Sequence, residues 1–218
     1  MAGTTLIISS KNYSSWSLRG YLLAKMSGLA FQEQVVSHDD TSARAELLLR
    51  SSSTLVPALI HDGFSIWDTL AIAEYLNEVR PQAQMFPADL QARARCRSIC
   101  GEMHAGFNAL RSTLPMNIRA YRPGFVVWSS AQTDIDRILL IWRECLATWK
   151  GPYLLGEQLT VADAMYAPVV LRFMSYDVKL EGACAAYSQQ ILQWPALGEW
   201  IAAAKAEREE VEELEVEF

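Results

Sequence analysis

Three short stretches of the chain bring together residue types that can do chemistry. The first is Lys11-Asn12-Tyr13-Ser14-Ser15-Trp16, a polar run between an apolar segment and a helical pattern. Ser14 and Ser15 are both natural N-caps, whose hydroxyl accepts a hydrogen bond from a free amide of the first helical turn. That placement also sets hydroxyl and N–H groups at the positive end of a helix dipole, where an anion is stabilised. The second stretch is Val56-Pro57, at the entrance to a predicted strand. Proline cannot donate to a β-ladder, so the strand start is its expected place. A cis bond there leaves the Val56 N–H and C=O free to pair with an extended peptide ligand. The third is Asp68-Thr69, which follows a strand and opens a helix. It reads as an N-cap, and equally as a site for an ammonium and a carboxylate together.

These stretches must be held by the elements around them. Thr5–Ser9 is a short β-rich run, and Leu18, Tyr21, Leu22 and Met26 repeat at helical spacing up to Gly28, a C-terminal stop. Phe31–Val36 is a second strand and Ala43–Arg50 a short helix. Two strands, Leu55–Ile60 and Phe64–Trp67, flank His61-Asp62-Gly63, where Asp-Gly supplies the positive φ of a tight turn. Asp68–Val79 carries apolar residues at 70, 72, 73, 75, 76 and 79, an amphipathic helix. The order βαβαββα predicts two parallel strands joined by a crossover, then an antiparallel hairpin, in a four-stranded α/β layer. Residues 1–80 form this unit and 81–90 a proline-bounded connector; 91–218 form an all-helical second domain. In that half Cys96, Cys100, Met103, Phe107, Leu110 and Leu114 define one apolar seam on a long helix ended by Pro115. Further helices are expected at Thr133–Trp149, Thr160–Tyr176 and Pro195–Arg208.

Charge and composition exclude several functions. The net charge of −6 resides in residues 207–218, which hold seven Glu and one Arg; the rest is neutral. A phosphate-tracking nucleic-acid binder needs a basic surplus that is absent here. Hydrophobic residues make up 51% of the chain, yet no apolar run approaches the roughly 18–20 residues of a membrane span. The opening Met-Ala-Gly-Thr-Thr has neither the basic nor the apolar region of a signal peptide, so a soluble cytoplasmic protein is expected. Four cysteines (Cys96, Cys100, Cys145, Cys184) and three histidines (His38, His61, His104) lack metal-ligand spacing, and no metal is expected. No cysteine precedes residue 96, so thiol chemistry in the first 95 residues needs a thiol from elsewhere.

The joint spacing resembles that of the cytosolic glutathione transferases. Val56-Pro57, the Asp-Gly hairpin, Asp68-Thr69 and Ala71-Ile72-Ala73-Glu74-Tyr75-Leu76 look like that family's glutathione-binding stretch. Leu154-Leu-Gly-Glu-Gln-Leu-Thr160-Val-Ala-Asp163 looks like its loop and capping box before a buried helix. The opening Lys-Asn-Tyr-Ser-Ser-Trp-Ser-Leu-Arg is similar to a bacterial branch of the superfamily. The resemblance implies the glutathione transferase fold, a thioredoxin-like domain joined to a helical domain, and a homodimer. It implies glutathione as co-substrate, with the Val56-Pro57 backbone on the cysteinyl part and Asp68-Thr69 on the γ-glutamyl group. An ungapped alignment puts the thiol-activating position on Asn12; Ser14 and Ser15 reach it if the loop shifts. Leu55 stands where many relatives have Lys, so a cation for the glycyl carboxylate must come from Lys11, Arg44 or Arg50.

A thiol with pKa near 8.5 is only about 3% thiolate at pH 7, and the thiolate is the nucleophile. Hydrogen bonds from Ser14, Ser15 or Asn12 and the helix N-terminus supply the stabilisation such an enzyme needs. The expected reaction is attack of glutathione thiolate on a small hydrophobic electrophile, in a pocket edged by Met103, His104, Phe107 or Arg111. A glutathione-dependent isomerase or dehalogenase uses the same thiolate. A non-catalytic binding or stress-adaptor protein is the reading that Asn12 favours.

Overall fold

A computed structural model describes residues 3–37 and 55–208 of the 218. The predicted helix Ala43–Arg50, with Arg44 and Arg50, and the tail beyond residue 208 lie outside the described residues. The first half contains β1 (Thr5–Ile8), α1 (Ser15–Ser27), β2 (Gln32–Val35), β3 (Ala58–His61), β4 (Phe64–Ile66) and α2 (Thr69–Val79). The strands form one mixed sheet in the order β2-β1-β3-β4. β1 and β2 pair in parallel, with Leu6 opposite Glu33, and β1 and β3 pair antiparallel, with Leu6 opposite Leu59. Asp62 and Gly63 adopt φ of 50° and 82° and close the β3–β4 hairpin, as their turn chemistry requires. Gly28, at φ 68°, caps α1 in the left-handed conformation. The expected α/β layer is therefore present.

The second half is helical: α3 (Leu90–Ala105), α4 (Asn108–Thr113), α5 (Ser129–Trp149), α6 (Val161–Ser175), α7 (Gly182–Leu192) and α8 (Pro195–Ala206). The long helix expected up to Pro115 breaks in two. The Gly106 N–H closes α3 onto the Glu102 carbonyl at 2.8 Å, and Phe107 then takes φ 57°, turning the chain into α4. The seam residues Cys96, Cys100, Met103, Phe107, Leu110 and Leu114 are nevertheless all buried, so periodicity identified the inward face and missed the turn within it. Helix α7 was not foreseen.

α6 is the central post: thirteen of its fifteen residues from Val161 to Phe173, and also Ser175, are buried. The Thr160/Asp163 capping box is formed, with the Asp163 carboxylate accepting from Thr160 N (2.8 Å), Thr160 Oγ1 (3.1 Å) and Leu154 N (3.2 Å). Burial nevertheless dominates and pushes the Asp163 carboxyl up to about 6. α1 bridges the two halves, packing on α2 on one side and on α6 on the other. The loop that opens α1 therefore lies where the halves meet. Among the described residues no helix is long and apolar enough to cross a membrane.

Candidate active site

The N-terminus of α1 opens onto a cleft of about 660 Å³ whose walls include Tyr13, Ser14, Ser15, Trp16, Arg111 and Arg172. Ser14 is the N-cap. Its Oγ accepts from the Ser17 N–H at 3.2 Å and its hydroxyl donates to Ser17 Oγ at 2.8 Å, so both functions are engaged within the helix start. Ser15 differs. Its Oγ lies 3.2 Å from Arg172 Nη2, and a guanidinium can only donate. Ser15 is thus the acceptor in that contact, and its own proton is available to a group in the cleft. The N–H groups of Ser15 and Trp16 belong to the first turn, which has no intrahelical acceptors for them.

The cleft is strongly cationic. Arg172 is buried and also donates to the Leu114 and Arg111 carbonyls; burial pushes its guanidinium down to about 10, with Arg111 adding repulsion. Arg19, fully buried behind it, donates to Met165 O (2.8 Å), Ser15 O (3.3 Å) and Met103 Sδ (3.2 Å). Burial lowers Arg19 furthest, followed by repulsion from Arg172 and Arg111. Among the described residues none of these three guanidiniums pairs with a carboxylate. The Arg19 and Arg111 guanidiniums both lie over the Trp16 ring, 4.4 Å and 4.9 Å from its centroid. An anion entering this cleft meets positive charge, a helix N-terminus and a free hydroxyl proton.

Asp68 is the N-cap of α2, its Oδ1 accepting from Leu70 N at 2.9 Å, and its Oδ2 lies 2.9 Å from His104 Nε2. The His104 ring in turn meets Trp16 edge-on at 5.2 Å, so a single side chain links Asp68 to the cleft wall. Thr69 is buried, and among the described residues its hydroxyl has no hydrogen-bond partner. The Val56–Pro57 bond is cis. Ladder pairing of β3 begins at Ala58 opposite Ile7, which leaves Val56 outside it. Pro57 sits directly on α1: a Cβ at Gly20 would come within 2.5 Å of the Pro57 Cβ.

Other expected residues lie differently. Asn12 is fully buried, its side chain donating to Asn117 Oδ1 (2.9 Å) and accepting from Arg119 N (3.0 Å). Lys11 pairs with Glu33 and hangs over the Tyr21 and Trp200 rings, apart from the cleft residues. Of the residues expected to edge the pocket, Arg111 lines it, while Met103 and Phe107 are buried in the core. Arg172 was missed by sequence reasoning. The available signal was a lone charge in the apolar run Ala164–Ser175, which is costly to bury without a purpose. Among the described residues no cluster of His, Cys, Asp or Glu could hold a metal ion.

Comparison with known proteins accords with this geometry. The family model "Glutathione S-transferase, N-terminal domain" matches residues 13–79, and "Glutathione S-transferase, C-terminal domain" matches residues 91–203. Maleylacetoacetate isomerase of Rattus norvegicus is 33% identical over 125 residues, covering 57% of this chain and 56% of the relative. The Mus musculus enzyme is 32% identical over the same length, with the same coverage. The chain thus matches little more than half the length of these relatives. A glutathione transferase homologue from Burkholderia, solved with bound glutathione, superposes with a TM-score of 0.71 at 22% identity, covering 94% of this chain and 98% of that one. Glutathione S-transferase unclassified 2 from Bombyx mori gives a TM-score of 0.74 at 20% identity, covering 94% and 95%. Those two likenesses show the fold, and the family models, which match most of the sequence, show the kinship. The chain belongs to the glutathione S-transferase family.

Proposed function

We propose that the protein is a glutathione transferase in which Ser15 donates its hydroxyl proton to the glutathione sulfur and holds it as thiolate. The observation that supports this reading is the Ser15–Arg172 contact at the N-terminus of α1, in which the Ser15 oxygen accepts and its proton is left to donate. Asn12 and Ser14, whose polar atoms are committed elsewhere, support the site without touching the sulfur. Val56 would pair with the cysteinyl backbone of glutathione. The ammonium of its γ-glutamyl group would take Asp68 Oδ2 in exchange for His104. The thiolate then attacks an electrophilic carbon and forms the C–S bond, and either a leaving group departs with the displaced electron pair or the adjacent carbon takes up a proton.

The cleft refines the substrate class. Pro115, Met116 and Trp16 offer apolar surface, whereas Arg111 and Arg172 offer charge, so the acceptor would carry an apolar body and an anionic group. That feature, with the isomerase relatives, also favours a second reading. In it the thiolate adds to a conjugated C=C, the new single bond rotates, and elimination restores the double bond and free glutathione. Product analysis after one turnover separates the two: glutathione remains attached in the first and is recovered in the second. Neither stands if the protein fails to bind immobilised glutathione. A homodimer accords with the exposure of Phe64 on edge strand β4 and Leu90 at the start of α3, and sedimentation tests it.

A further inference from the structure

The loop that carries the serines is held from outside its own half of the molecule. Every polar group of Asn12 is engaged by the C-terminal half. Its N–H donates to Glu207 Oε2 (2.8 Å), its side chain joins Asn117 and the Arg119 N–H, and its carbonyl accepts from Ile118 N (3.4 Å). The residues on either side are held too. The Lys11 carbonyl accepts from Trp200 Nε1 (2.9 Å), and the Tyr13 hydroxyl accepts from Arg119 Nη2 (2.8 Å). Arg119 closes the ring, because its Nη1 donates to the Glu207 carbonyl at 2.7 Å. Two parts of Glu207, its carboxylate and its backbone oxygen, therefore tie the end of α8 to the loop and to residues 117–119.

Asn12 and Tyr13 are buried, so water does not satisfy their polar groups and the C-terminal half supplies the partners. What the arrangement does is fix the direction in which the following residues point. Ser14 N donates back to Ser10 O at 3.0 Å, and Ser15 sits at the first position of α1. A small rotation at residues 12–13 would take the Ser15 hydroxyl off any sulfur in the cleft, and misplacement of about 1 Å is enough to cost catalysis heavily.

We propose that Glu207, through Asn12 and Arg119, is a positioning residue: a latch from the C-terminal segment that aims the Ser14–Ser15 loop at the glutathione sulfur. The proposal rests on the reading of Ser15 given above. It assigns to the first of the seven Glu of residues 207–218 a role distinct from solvation. It also accounts for Asn12, which acts on the thiol through the loop.

Two substitutions in the full chain test it. Glu207→Ala removes the acceptor for the Asn12 N–H, whereas Glu207→Gln keeps an acceptor oxygen and removes only the charge. In the free protein, hydrogen exchange at the Ser14 amide should accelerate about tenfold in Glu207→Ala and stay near the wild-type rate in Glu207→Gln. With glutathione bound, the pH of half-ionisation of its thiol, read by thiolate absorbance, should rise by about one unit in Glu207→Ala. In Glu207→Gln it should hold or fall, because a nearby negative charge opposes ionisation. If Glu207→Ala does not fold, Arg119→Met gives the same reading, since it removes the donors to the Glu207 carbonyl and the Tyr13 hydroxyl and keeps the backbone N–H that meets Asn12. Unchanged Ser14 exchange, or an unmoved thiol titration in a folded variant, would overturn the latch. Should the protein bind no glutathione, the proposed function fails while the exchange measurement still decides the latch.

Discussion

Replacing Asp163 with Asn should change how the stability of the fold depends on pH. Asp163 is wholly buried, and burial raises its carboxyl to about 6 even though three donors converge on it. In the unfolded chain its pKa is about 3.9. Between these values the folded protein holds a proton that the unfolded chain has lost. The stability from the neutral form is therefore fully present below about pH 4 and is lost as pH rises through about 6. The two-unit gap is worth about 3 kcal/mol at about 1.4 kcal/mol per pH unit. For a chain of this size that is about 6–12 °C in Tm. Asn has the same shape and does not titrate, so its own cost is a constant offset. The assay is denaturant unfolding of wild type and Asp163→Asn at half-unit steps from pH 4 to 7.5. The wild-type advantage should shrink steadily from pH 4 to 6 and then level off. An advantage that is flat, or that grows with pH, would refute the reasoning by showing that the three hydrogen bonds outweigh burial.

Gly20→Ala should cost about 1–3 kcal/mol by overpacking, because its Cβ would fall 2.5 Å from the Pro57 Cβ. It should raise KM for glutathione more than it lowers kcat; thermal unfolding and steady-state kinetics check both. Truncation after Arg208 keeps Glu207 and removes most of the acidic tail. It should leave glutathione affinity within about twofold at physiological salt, where charges are screened beyond about 8 Å. A several-fold change by calorimetry would mean that the tail reaches the cleft.

Local chemistry explains what the sequence made legible. Gly28, Asp62-Gly63, Asp68 and the Thr160/Asp163 box each specify a backbone state through one or two side chains, and all occur as read. The break at Gly106–Phe107 was hidden because the apolar seam continues across it at unbroken spacing. Helix α7 was hidden because its buried residues, Cys184, Tyr187, Ser188 and Ile191, include a polar one and are set among small side chains and glutamines. In the site, the serines were legible as a cap. Which of them has a free proton depends on Arg172, 157 residues away in sequence, and on Ser17 Oγ. Asn12, aligned with an activating position, turned out to serve the junction with Asn117, Arg119 and Glu207, contacts made across the chain that no local pattern records.

Activation of the glutathione sulfur by Ser15 is tested most directly by one titration. The thiolate absorbance of bound glutathione is followed against pH in wild type, Ser15→Ala and Ser14→Ala. A lost charge-assisted hydrogen bond is worth about 1.5–3 kcal/mol, which corresponds to about one to two pKa units. The wild-type thiol should ionise about two units below its usual value near 8.5. Ser15→Ala should return it most of the way, and Ser14→Ala should move it much less. A Ser15→Ala titration that overlays the wild type would contradict the account.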